Sequence, residues 1–123
     1  MEKFSEQRKE NAKQYVSFRM KDLGIEENTV TSSNLVRDNI AEIENEQFVD
    51  EYLNYKLLGA EKPGIPEEAN QARKDKINDF VRCKVLEDSV PLGLESLTEW
   101  VWDNLHLFCD EQHIESYLAS KNA

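Results

Sequence analysis

The segment Ser96–Leu118, SLTEWVWDNLHLFCDEQHIESYL, holds both tryptophans, both histidines and one of the two cysteines of the chain. At ~100° per residue, Leu97, Val101, Leu105 and Phe108 share an arc that Trp102 and Cys109 extend. Glu99, Asp103 and Asp110 face the other way, so the spacing predicts an amphipathic helix with a core face. The S-x-x-E pattern from Ser96 to Glu99 predicts its start as a capping box. Trp100, Leu107, Ile114 and Leu118 form a second apolar stripe outside the arc. Two arrangements satisfy both stripes. One continuous helix is buried on two sides, or the helix breaks near Asp110, which then caps a short last helix carrying Ile114, Tyr117 and Leu118.

Upstream, Ser89–Gly93 reads as a connection to a helix that begins at Pro66-Glu67-Glu68 and ends near Asp88. Proline in the first turn and acids beside it suit a helix N-terminus, and Ile77, Phe80, Val81 and Val85 turn inward. Gly59, Pro63, Gly64 and Pro66 mark the longest loop. Before it, Asn34–Leu58 carries two apolar stripes, Val36-Ile40-Ile43-Gln47 and Phe48-Tyr52-Tyr55, which predict a bend near Glu44–Glu46. Residues 3–23 read as a first helix with Ala12, Val16, Met20 and Leu23 on one face, ended by Gly24 in the left-handed position. The polar run to Ser33 is a loop whose last serines cap the next helix. No strand, internal repeat or low-complexity tract is visible. The expected fold is all-α: one domain over residues 1–123, a bundle of four to five helices without a sheet. A split at the Gly/Pro loop would leave two marginal cores of about half the chain each.

The formal charge of −10 is unevenly spread. Residues 24–70 hold eleven acids against three bases, and residues 89–123 six against one. This balance excludes nucleic-acid and anionic-membrane surfaces, which need clustered Lys and Arg. Arg73, Lys74, Lys76, Arg82 and Lys84 do cluster, but Asp75 and Asp79 alternate with them as on a salt-bridged helix face. No apolar run approaches the ~18 residues of a membrane span, and the N-terminus has no apolar core of a secretory signal. Two cysteines make no disulfide scaffold, so a reducing, cytoplasmic setting is expected.

Chemistry has few carriers. His106, Cys109 and His113 fall on one side of a helix by spacing, and Cys83 could complete a Cys2His2 zinc set. The paired short spacings of zinc fingers are absent, however, and packing at the core margin explains the same residues. A Cys-His-Asp set from Cys109, His106 and Asp103 or Asp110 would surround no cleft and lacks oxyanion donors. The four glycines are isolated, so no phosphate loop exists. A non-enzymatic domain without cofactor is therefore expected, a monomer or homodimer acting on a basic protein partner. Short, acidic and helical is a character shared with bacterial and phage inhibitors of basic enzymes, an analogy of composition alone. The candidate docking residues are Glu42, Glu46, Asp50, Tyr52, Tyr55, Trp100, Asp103 and Asp110, acids for charge complementarity and aromatics as anchors. A variant of this expectation is a nucleic-acid mimic in which Glu42, Glu46, Asp50, Glu99, Asp103 and Asp110 trace a phosphate-like path.

Overall fold

A computed structural model describes residues 2–26, 30–91 and 93–122 of the protein. Among them the fold is all-α, with no strand. Eight helices follow in order: α1 (Glu6–Leu23), α2 (Ser32–Asp38), α3 (Ile40–Ile43), α4 (Glu46–Leu58), α5 (Gln71–Glu87), α6 (Leu94–Asp103), α7 (Leu105–Phe108) and α8 (Glu111–Asn122). The expected four to five helices become eight because asparagines cut two of the predicted helical stretches. The Asn39 side chain donates to the carbonyl of Leu35 at 2.9 Å, and that of Asn104 to the carbonyl of Trp100 at 2.8 Å. Each amide bonds back four residues and takes its own backbone out of the helical region, to φ −112° and −107°. Each break opens a four-residue helix, and a capped helix follows two residues later. Asn45 accepts from the backbone N–H of Phe48, and Asp110 from that of His113. The break at Asp110 is thus one of the two arrangements anticipated; the break at Asn104 is additional.

Two other boundaries differ from expectation. Pro66-Glu67-Glu68 stays non-helical, and α5 starts at Gln71 behind the cap Asn70, whose side chain accepts from the Arg73 N–H at 2.8 Å. Ser96 lies inside α6, which starts after Gly93 with no side-chain cap, so the capping box is not used. Gly24 is left-handed at φ 69°, as its position after Leu23 implies, and donates to the Lys21 carbonyl.

The chain contains an internal repeat that the sequence reading missed. Adding 65 to a position in the first half gives its counterpart in the second. The short helices correspond end to end, Ile40–Ile43 with Leu105–Phe108. The breaks Asn39 and Asn104, the caps Asn45 and Asp110, and the caps Ser5 and Asn70 correspond as well. So do the left-handed Gly24 and Ser89, the latter at φ 53°. Long helices α1 and α4 run parallel: Arg8 meets Glu46 at their starts, and Lys56 meets Asp22 at their ends. α5 and α8 repeat this, with Arg73 near Glu111 and Lys121 on Glu87. The residues 59–70 between α4 and α5 join the two halves.

Both halves contribute to one hydrophobic cluster. Tyr15 packs edge-on against Phe48 and Tyr52 in the first half. Phe80 packs edge-on against Phe108 and Tyr117 in the second. Arg73 clamps the Glu44 carboxylate with two bonds, at 3.0 and 2.5 Å, and Lys9 reaches Asp103 at 3.4 Å, so ion pairs tie each half to the other. Of the central stretch, Val101, Leu105 and Phe108 are buried, and so are Trp100 and Ile114 from the second stripe. Both stripes are core. Phe108→Ala is expected to cost about 3–5 kcal/mol, and Trp100→Ala a similar amount, as cavities in a close-packed interior. Urea melts check this: both variants must shift the midpoint strongly, whereas Glu99→Ala, on an exposed side chain, must stay within about 0.5 kcal/mol.

Candidate functional site

The end of the α1–α4 pair carries a polar network. Asp22 accepts from the Tyr52 hydroxyl at 2.5 Å and from the Lys56 ammonium at 2.7 Å. Lys56, and then Tyr52, hold its carboxyl below the usual range. The second half repeats the arrangement. Glu87 accepts from Lys121 at 2.6 Å and from the Tyr117 hydroxyl at 2.8 Å, and these partners bring its carboxyl down to about 2. Both networks are satisfied internally and read as anchors of the paired long helices.

A cleft of about 520 Å³ opens beside the first network. Met20 and Leu23 from the end of α1, Ile25 just beyond it, Leu35 from α2 and Ile65 from the joining loop form its apolar walls. Leu23, Ile25 and Ile65 are also among the exposed large hydrophobic residues. Arg19, Asp38, Glu42, Glu68 and Lys74 bring charge to it. Most of that charge is matched: Lys74 pairs with Glu68, and Asp38 with Arg37 at 2.9 Å. Glu42 and Arg19 are different. Glu42 is 6 % exposed, and its Oε2 is buried with no hydrogen-bond partner among the described residues. Arg19 Nε and the Tyr15 hydroxyl are buried and make no hydrogen bond of ordinary geometry among the described residues, although Arg19 lies near enough to act on the Tyr15 and Tyr52 phenols. Burial pushes the Glu42 carboxyl above its ordinary value despite the nearby Arg19 and Lys74. Burial also raises the Tyr15 phenol, with the Glu42 charge adding to it. Buried polar groups are nearly always bonded in folded proteins, so three orphans beside an open cleft single out this place.

The sequence-derived docking residues do not form one surface. Glu42 is buried on α3. Tyr52 is fully buried with its hydroxyl on Asp22, and Trp100 is buried with its indole N–H on Asp88 at 3.0 Å, so neither is an outward anchor. Tyr55 is half-buried, edge-on to Tyr52 and near the Lys56 ammonium. Glu46 is exposed but lies 3.8 Å from Arg8, Asp50 accepts from Asn11, and Asp103 faces Lys9. Asp110 is spent as a helix cap. With Glu42 inside and Asp110 capping, the six acids of the mimic reading trace no single external row.

The metal candidates are also separated by the breaks. His106 is on α7, Cys109 ends it, and His113 is on α8. His106 is buried edge-on to Phe4, and His113 lies edge-on to Phe80. Cys83 is half-buried on α5 and, like Cys109, free. Among the described residues no group of three His, Cys, Asp or Glu could hold a metal ion. Burial pushes the Cys109 thiol up to about 12. No helix among the described residues is long and apolar enough to cross a membrane. Comparisons with protein-family models, curated proteins and solved structures find no match.

Sequence reasoning named Glu42 as an acid of a docking surface, not of a cleft, and missed Arg19 and Tyr15. Their only signal was position: Tyr15 and Arg19 are four apart on α1 and share its inner side.

Two measurements test this description. A carboxyl raised on folding keeps its proton where the unfolded chain has lost it. Stability therefore falls as pH rises from the unfolded value near 4.5, and the loss is complete above the folded value. Glu42→Gln should stabilise the protein by about 1 kcal/mol at pH 7, with the gain vanishing in melts below the unfolded value. Cys109 should react with a disulfide reagent at mildly alkaline pH at least about tenfold more slowly than an unperturbed thiol, since only the thiolate attacks. Mass spectrometry of partly labelled protein reads the site.

Proposed function

We propose that the protein acts by binding a basic protein and neutralising it, without chemistry of its own, in a reducing cytoplasmic setting. The observation that carries this reading is how the bases are spent. Ten of the fifteen Lys and Arg side chains sit in ion pairs with the chain's own acids. The acids outnumber them, and the surplus faces outward. Glu10, Glu51, Glu95 and Glu99 are exposed and enter no ion pair among the described residues. A surface of unpaired carboxylates with few competing cations attracts a positive partner and speeds its approach. The two free cysteines, one of them a poor nucleophile, accord with a reducing compartment and with a binder rather than a thiol enzyme. A monomer or a homodimer would serve equally.

Glu95 and Glu99, one turn apart on α6, are the residues to change. Affinity purification at low ionic strength should recover a basic protein in stoichiometric amount. Glu95→Lys with Glu99→Lys should then slow association at least about tenfold at low salt, with the difference shrinking as salt screens it. Stopped-flow association rates across a salt series make the check. A recovered partner that is acidic, or binding indifferent to salt, counts against the reading.

A further inference from the structure

The repeat allows one half to be compared with the other, and they differ at the cleft. In the second half, Trp100 is 9 % exposed, and its ring centroid lies 6.4 Å from that of Phe80 and 5.9 Å from that of Phe108. Its indole N–H donates to Asp88 at 3.0 Å. The first-half counterpart of Trp100 is Leu35, and the counterpart of Leu107 is Glu42. Where the second half has an indole and an isobutyl group, the first half has a smaller side chain and a carboxylate. Both Leu35 and Glu42 line the open cleft. The aromatic neighbour is kept, with Tyr15 at the place of Phe80. The first half thus has room where the second has a ring, and an unpartnered buried acceptor where the second has an apolar side chain.

We propose that this cleft binds a small, uncharged, planar aromatic molecule whose ring N–H donates to the Glu42 carboxyl, taking the place that Trp100 fills in the second half. The volume of about 520 Å³ is that of a small-molecule site. Met20, Leu23, Ile25 and Leu35 supply the apolar walls. Arg19 lines the same cleft, and a guanidinium favours the face of an aromatic ring. The other lining charges are already paired, Lys74 with Glu68 and Asp38 with Arg37, so Glu42 and Arg19 remain as one acid and one base. That balance favours a ligand without net charge. The hydrogen bond to Glu42 gives the buried, orphaned acceptor a donor, and a bond to a carboxylate is among the stronger kind. The site does not rest on the basic partner proposed above.

Indole and benzofuran are the probes, being alike in shape and differing in the ring N–H. Two-dimensional NMR titration of the intact chain should show indole shifting the amides of Ile25, Leu35 and Asn39, with benzofuran at least about tenfold weaker. Glu42→Leu, which installs the second-half residue, should bring the two probes to within about twofold of each other. Leu35→Trp, which fills the cleft as in the second half, should abolish indole binding while the melting temperature holds or rises. Should Leu35→Trp fail to fold, Glu42→Leu alone decides. The proposal is overturned if indole does not bind, if its shifts fall elsewhere, or if benzofuran binds wild type as tightly as indole does. It is overturned equally if indole binding persists in a folded Leu35→Trp protein.

Discussion

The amide of an asparagine bonded back to the carbonyl four residues earlier shapes everything else in this protein. Asn39 and Asn104 each do this, and each ends a helix that its apolar periodicity would otherwise continue. A straight helix across either position would keep its two apolar stripes on a single axis. The break lets α2–α3–α4 and α6–α7–α8 turn within a few residues, and lays α4 and α8 parallel to α1 and α5. Ile40 and Ile43, and their counterparts Leu105 and Phe108, are delivered to the core by four-residue helices that would not be stable alone. Their cost in backbone order is met by burial.

Twofold repetition of the same plan has left a symmetric frame and an asymmetric interior. The Tyr52–Asp22–Lys56 network is matched by Tyr117–Glu87–Lys121 with the same donors on the same kind of acceptor. These positions fix the long helix pairs, so the same donor types stand in both halves. Positions in the shared core have diverged: Tyr15 and Phe80, Ile43 and Phe108, Leu35 and Trp100. Around Leu35 and Glu42 this divergence leaves a cleft and unpartnered polar groups. A folded protein sheds such groups readily, since replacing them is stabilising, and their presence sets this corner apart from the rest of the core.

Charge follows a different logic from packing. Bases are spent on joining parts, as in the Arg73 clamp on Glu44 that crosses between halves. Acids serve as caps, as clamps and as surplus. The net charge of −10 is therefore not a property of one helix or face. It is what remains outside after the internal pairs are made, which is why Asp103 and Glu46 look free by spacing yet lie near Lys9 and Arg8.

Periodicity and composition alone determined the helical class, the helix ends at Gly24 and Asp88 and the inward arc through Val101, Leu105 and Phe108; they offered the cap at Asp110 as one of two arrangements. These are local matters: a 3.6-residue period and the conformational freedom of glycine act within a few residues. The burial of Tyr52, Trp100 and Glu42, the breaks at Asn39 and Asn104 and the repeat were decided only in the tertiary structure. An asparagine bonds back or faces water depending on what packs around it, and a carboxylate on a helix is exposed or buried according to the neighbour across from it. The repeat was hidden for the same reason. Packing preserves shape and cap positions while letting Leu stand for Trp and Glu for Leu, so corresponding residues share a place in space more than a letter.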